Sequence, residues 1–301
     1  MTVATKPPAE VSIDTSLVRA LLEEQHADLA SLALGDISEG WDNRVFRLGE
    51  DLAVRIPRRA VSAVLIEQEQ RWLPRLSARL PLLVPTPVRI GRPGCGFPWA
   101  WSVVPWLHGQ SALLAPSDPM MTAVALGHFL RRLHQPAPED APHNPWRGIP
   151  LAARDQGVRK HLQQLEGLVD HDSVLRFWDR AVSTPSWSGP PLWIHGDLHP
   201  GNLLVAGGRL SAVIDFGDLA AGDPATDLSV MWMLLPSTAR STFLISARGP
   251  FNPLNHHTLM RARGWAVALG LSWLATSRND EVMRKIGRTA IDAALNDGSV
   301  C

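Results

Sequence analysis

Cysteine is nearly missing from this chain. Cys95 and Cys301 are the only two in 301 residues. Thiols so few and so far apart make neither a disulfide framework nor a zinc ligand set, and they fit a reducing, cytoplasmic setting. Lysine is almost as scarce, with Lys6, Lys160 and Lys285 alone. Net charge is absent too, since 29 basic residues face 29 acidic ones. That balance gives no global preference for nucleic acid or for a membrane surface. No apolar run reaches the ~18 residues of a membrane span, and the nearest, Trp265 to Ala275, is too short. Met1 to Glu10 is polar and carries prolines, unlike the apolar segment of a signal peptide. No internal repeat is found. The length allows one large or two modest domains, and a hydrophobic content of 45% is ample for a core.

Two stretches carry chemistry. The first is Trp193 to Val205, containing His195-Gly196-Asp197-Leu198-His199-Pro200-Gly201-Asn202. The second is Val213-Ile214-Asp215-Phe216-Gly217-Asp218, reached after the turn Ala206-Gly207-Gly208-Arg209. Glycine permits φ > 0 and proline fixes φ, so Gly196, Pro200 and Gly201 can hold Asp197 and Asn202 in one tight loop. A hairpin would return the chain and bring Asp215 to the same place. Two carboxylates and an amide form a hard oxygen set suited to Mg²⁺ and to phosphates. Plainer readings exist. His195 and His199 lie four apart, as zinc ligands on a helix would, but Pro200 and Gly201 argue against a helix and no third ligand is near. Asp197 could simply cap a turn; its company with Asn202 and the second loop argues for more.

The loop His195 to Asn202 resembles the catalytic loop of aminoglycoside phosphotransferases within the protein-kinase-like superfamily, and Ile214-Asp215-Phe216-Gly217 is similar to the kinase Asp-Phe-Gly motif. The resemblance implies an α+β, bilobal fold with a small β-rich N-terminal lobe over 1–105 and a larger, mainly helical lobe over 106–301. The site would lie in the cleft between them. It implies transfer of the γ-phosphoryl of ATP or GTP to a hydroxyl of a small molecule. Asp197 would be the catalytic base, and Asn202 and Asp215 would hold Mg²⁺. Asp227 would brace the loop backbone with His195. An aminoglycoside is the first acceptor the resemblance suggests, implying antibiotic resistance. A macrolide, another small metabolite, or a silent nucleotide-binding module are the alternatives. Neither nucleic acid nor membrane is an expected partner.

The residues before the loop add detail. Asp14 with Leu17, Val18, Leu21 and Leu22 reads as a capped amphipathic helix. A glycine-bearing loop spans Gly35 to Asn43, and in kinase-like folds such a loop, here with Gly40, covers the phosphates. Strands follow at Val45–Leu48 and Leu52–Ile56. Arg55 stands where kinases carry a phosphate-gripping lysine, and arginine can fork onto phosphate oxygens. In the next helix Glu69 lies inside the stripe Leu65, Trp72, Leu73, Leu76. A carboxylate on a buried face needs a cation, and Arg55 is its expected partner. Pro74 should end or bend that helix. Val84–Ile90 and Trp99–Val104 read as further strands, with backbone near Val103, Val104 and Trp106 expected at the purine edge. Helical patterns cover Met120–His134, Arg154–Val169, Asp172–Val182 and most of Ser237–Val300, with a proline-rich connection over Pro136–Pro150. Asp223-Pro224 reads as the start of a helix that is apolar all round and continues to Leu235. Asp218 and Asp223 are candidate acceptor-binding carboxylates. The segment after Ser237 has a net charge of about +4, which does not favour a polycationic acceptor.

Overall fold

Asp14 caps the first helix: its carboxylate accepts the Leu17 N–H at 2.9 Å. That satisfies one of the amide donors a helix start leaves unpaired. In the computed structural model, which describes residues 7–277 and 280–297, the chain divides into two units. One holds 7–108 with 212–217, and the other holds 109–211 with 218–297.

The first unit is α1 (Thr15–Gln25), β1 (Leu34–Glu39), β2 (Asn43–Leu48), β3 (Leu52–Pro57), α2 (Ala60–Ser77), β4 (Arg89–Gly91) and β5 (Trp101–Pro105). Its strands form one antiparallel sheet in the order β1-β2-β3-β5-β4. β3 is central. Alternation sends Val54 and Ile56 into a core with Val18, Leu21, Leu22, Phe46, Trp101 and Val103, and therefore turns Arg55 to the opposite face. α2 packs on β3 and β5, with Ile66, Glu69, Trp72, Leu73 and Leu76 buried.

Three local expectations are corrected here. Most of the loop read over Gly35 to Asn43 is strand: β1 runs to Glu39, leaving Gly40, Trp41 and Asp42 in the turn. β1 is an edge strand whose residues after Leu34 are exposed, so no apolar alternation marks it. Val84 to Val88 is not strand; Pro85 and Pro87 lack the N–H a ladder needs. α2 continues through Pro74 to Ser77.

The second unit is mainly helical. It contains β6 (Gln110–Ser111), α3 (Pro119–Leu133), α4 (Asp155–Gln164), α5 (His171–Val182), β7 (Leu192–Ile194), β8 (Leu203–Ala206), β9 (Arg209–Val213), β10 (Ala220–Gly222), α6 (Ala225–Leu228), α7 (Val230–Leu234), α8 (Ser237–Ala247), α9 (His256–Thr276) and α10 (Glu281–Leu295). The last residues of β9 carry the chain back to the first unit, where the Val213 N–H donates to Leu83. α9 is the spine, buried from Arg261 to Leu271 and packed by α4, α5, α6, α7 and α10. The helix expected over Ala225–Leu235 breaks at Ser229, whose hydroxyl donates to the Thr226 carbonyl at 2.6 Å. α4 stops at Gln164, well short of Val169, and Gly167 beyond it has φ +76°. The fold class is as expected: α+β, an antiparallel sheet followed by a mainly helical region. Among the described residues no helix is long and apolar enough to cross a membrane.

α9 and α10 approach backbone to backbone at Gly270 and Gly287; a Cβ on Gly287 would lie 2.7 Å from the Gly270 carbonyl. Gly287→Val should therefore lower unfolding free energy by about 1–3 kcal/mol in a denaturant titration. Gly157→Ala, inside α4 with open space around the new Cβ, should raise it by up to ~1 kcal/mol.

Candidate active site

The loop is built outward from a buried carboxylate. β7 ends at Ile194, and the next two N–H groups, of His195 and Gly196, donate to Asp227 at 2.8 and 2.9 Å. His134 Nε2 lies 3.1 Å from the same carboxylate. Asp227 is fully buried, so these bonds replace all its water. Gly196 has φ +85°, and a Cβ there would fall 2.4 Å from the Asp218 carbonyl, so only glycine fits. The Asp197 N–H then faces His195 Nδ1 at 3.3 Å.

The far side of the loop is a short 3-10 turn, Pro200–Asn202, fastened by His199 Nδ1 accepting from Gly201 N–H at 3.0 Å. Asn202 Nδ2 donates to the Asp197 carbonyl at 2.9 Å. With its amide nitrogen so used, the Asn202 oxygen is left as an acceptor, as a ligand to a hard cation requires.

Asp197 keeps a quarter of its side-chain surface open. Burial works to raise its pKa, yet His199 at 3.6 Å, Arg147 and His195 hold the carboxyl well below the usual carboxylate range. Arg147 is the residue sequence reasoning missed. Its Nη2 donates to Asp197 Oδ1 at 3.0 Å, and its Nε lies 3.9 Å from Asp218. It comes from the connection over 136–150, where composition indicated only an irregular segment, so no periodicity or spacing could single it out.

The two candidate acceptor carboxylates differ. Asp218 stays partly open but accepts from Asn144 Nδ2 at 2.5 Å as well as facing Arg147. Asp223 is withdrawn. It is 4% exposed, holds Arg261 Nε at 2.6 Å and accepts the Ala225 N–H at 3.0 Å. Its carboxylate lies inside the helical core rather than on a pocket wall.

The first unit holds the other named residues. Arg55 and Glu69 form the expected ion pair, 7% and 1% exposed. Burial raises the Glu69 carboxyl, Arg55 pulls it back, and the nearby Asp215 and Asp42 charges add to burial. Asp215 is thus close to this pair. It is exposed, and its backbone has φ +65°, a costly conformation for a residue with a Cβ and one that collects at functional sites. Gly40 closes the β1–β2 turn, its N–H donating to the Asn43 carbonyl at 2.9 Å. Along β5, the Val103 carbonyl accepts from Val88 and the Trp106 N–H donates to Asp51 at 2.7 Å. Val104 pairs with Ala53 of β3. Pro105, the last residue of β5, lies opposite Leu52 of β3 and has no N–H to offer.

Known proteins resemble this chain in sequence and in fold. An aminoglycoside 3'-phosphotransferase from Escherichia coli is 24% identical over 143 residues, 45% of this chain and 53% of that protein, so the match spans about half the relative's length. A solved aminoglycoside phosphotransferase in complex with GDP and kanamycin superposes with a TM-score of 0.66 at 17% identity, covering 92% of this chain and 98% of the other. A macrolide 2'-phosphotransferase from Brachybacterium faecium gives a TM-score of 0.57 at 24% identity, covering 93% and 99%. The profile of the phosphotransferase enzyme family, APH, matches residues 34–249, well over half of the sequence. This chain belongs to that family.

Proposed function

We propose that the protein transfers the γ-phosphoryl group of ATP or GTP to a hydroxyl of a small molecule. The observation that carries this reading is the braced loop: an ionised, partly open Asp197 held beside an Asn202 whose amide oxygen is left to accept. Family membership supports it, as do the GDP and kanamycin bound by a relative of the same fold.

Phosphoryl transfer has a loose transition state with charge spread over oxygens, so positioning and electrostatics supply most of the catalysis. Asp197 accepts the hydrogen bond of the acceptor hydroxyl and aims its oxygen. Because the carboxylate is stabilised as an anion, it is a weak base towards a neutral alcohol. It takes the proton late, once the oxygen is bonding to phosphorus. Asn202 and Asp215 are the residues proposed to hold Mg²⁺. Their donors are hard oxygens, one freed by the Nδ2 bond and one on an exposed carboxylate. Bound there, the cation would neutralise phosphate charge. Arg55 is proposed to steady the nucleotide phosphates while Glu69 fixes its guanidinium, with Gly40 in the covering turn. The purine edge is assigned to the backbone near Val103, Val104 and Trp106, with the Pro105 carbonyl between them.

The test is an acceptor screen with phosphorylated product detected by mass; nucleotide binding with no product from any acceptor would leave only a silent module. Asp197→Asn should cut kcat by about 10²–10⁴ while nucleotide affinity changes little, and retained turnover would remove Asp197 from its role. Asp215→Asn should move the midpoint of a magnesium titration upward by about tenfold, the loss of one charged ligand. Arg55→Ala leaves Glu69 buried without its cation and should destabilise the fold by about 3–5 kcal/mol. Adding Glu69→Leu should recover most of that stability in a thermal melt. It should not restore the nucleotide KM, because the grip itself is gone.

A further inference from the structure

Asp227 braces the loop, and one of its partners is itself held from outside the site. His134, the residue that ends α3, places Nε2 3.1 Å from Asp227 Oδ2, the oxygen that also accepts the His195 N–H. On the opposite edge of the ring, Nδ1 meets Asn252 Nδ2 at 3.2 Å. Asn252 lies 118 residues away in sequence, in the connection between α8 and α9. Exposure is 1% for Asn252, 2% for His134 and 0% for Asp227, so bulk water cannot replace these bonds.

The proton positions follow from the donors and acceptors. A carboxylate offers only lone pairs, so the imidazole proton belongs on Nε2. Nδ1 is then bare and needs a donor, which the Asn252 amide supplies. The other tautomer would set N–H against N–H on one edge and a bare nitrogen against a carboxylate on the other. The connection is shaped to keep the amide there. Gly249 and Asn252 exchange backbone hydrogen bonds, both 3.3 Å. Leu254 is buried with φ +53°, a costly angle for a residue with a Cβ. Asn255 caps α9, accepting the Thr258 N–H at 2.9 Å. Asn252 Oδ1 has no hydrogen-bond partner, so the side chain is buried for the sake of its nitrogen, and that nitrogen faces His134.

We infer that Asn252 is a positioning residue: its amide fixes the tautomer of His134, and through His134 it holds Asp227 and the backbone that carries Asp197. The effect on turnover rests on the proposed kinase reading; the tautomer and the brace do not. Asn252→Leu keeps the volume and removes the donor. His134 is left with a bare buried nitrogen, its hold on Asp227 loosens, and the loop amides loosen with it.

Three measurements test this. The first is ¹⁵N NMR of histidine-labelled wild type, with His134 assigned by the signals lost in His134→Phe. It should show a protonated Nε2 and a bare Nδ1. A proton on Nδ1, as the other tautomer or as an imidazolium, overturns the inference without any variant at Asn252. The second is amide hydrogen exchange. In Asn252→Leu the His195 and Gly196 amides should exchange about five- to tenfold faster, the effect of weakening one hydrogen bond, while amides in the middle of α9 keep their rates. Unchanged loop amides overturn the inference, and so does an equal acceleration everywhere, which reports only a less stable fold. The third is kinetic, with an acceptor found by the screen. Asn252→Leu should lower kcat by about ten- to a hundredfold, as a displaced catalytic group does, with the nucleotide KM little changed. Phe251→Ala, at a partly exposed neighbour on the same connection, should behave as wild type; an equal loss there means that any disturbance suffices and removes Asn252 from its role. In His134→Phe, which already lacks the donor to Asp227, adding Asn252→Leu should cost nothing further. Losses that multiply would show that Asn252 does not act through His134. If wild type phosphorylates no acceptor, the kinase reading fails by itself, and the tautomer and the exchange rates still decide the brace.

Discussion

The buried carboxylate of Asp227 is the constraint on which the rest of the site depends. β7 is only three residues long, and the chain must leave it through a positive-φ glycine, so the N–H groups of His195 and Gly196 lose any regular ladder partner. Buried donors without acceptors cost about 1–3 kcal/mol each. One carboxylate accepts both, and His134 on the cap of α3 faces it. A fully buried anion would be expensive alone; with two amides and an imidazole around it the charge is satisfied. The consequence is positional. With the backbone pinned at 195 and 196, Asp197 has little freedom, and its carbonyl is presented to Asn202 Nδ2.

The same logic repeats across the protein. Glu69 has Arg55, Asp223 has Arg261, Asp297 has Arg240, and Asp197 and Asp218 share Arg147. These carboxylates are matched locally by arginine, whose planar fork serves buried carboxylates well. Asp215 stands apart: exposed, at a left-handed backbone angle, with Arg55 acting on it through charge. Backbone strain of this kind persists only where the surrounding structure over-determines it.

What could be read from sequence follows from what each signal is made of. The helix-capping Asp14, the buried Glu69 on an apolar stripe and the polar Asp227 in an apolar helix were legible because each violates or completes a local pattern. β1 was not, since an exposed edge strand has no buried alternation to announce it. Asp223 was misread because Asp-Pro is a good helix start wherever it lies; only the tertiary approach of Arg261, 38 residues away, turns that carboxylate inward. Arg147 was invisible for the opposite reason. Its segment has no period at all, and its place beside Asp197 comes from Thr226 and Asp197 converging on it from distant parts of the sequence.

The scarcity of lysine takes on a meaning at Arg55. A buried lysine can escape its desolvation penalty by giving up its proton, and its charge then depends on its surroundings. An arginine cannot, so a guanidinium facing Glu69 and close to Asp215 remains a cation whatever binds nearby. Such a pair is poor evidence of a stabilising device, because a well-packed apolar pair often does as well. Its presence on the central strand of the sheet is better explained as a fixed positive charge. Glu69 Oε1 has no hydrogen-bond partner, so the carboxylate accepts from Arg55 on one side only. The pairing holds the guanidinium through one carboxylate oxygen, without the bidentate fork that would enclose it.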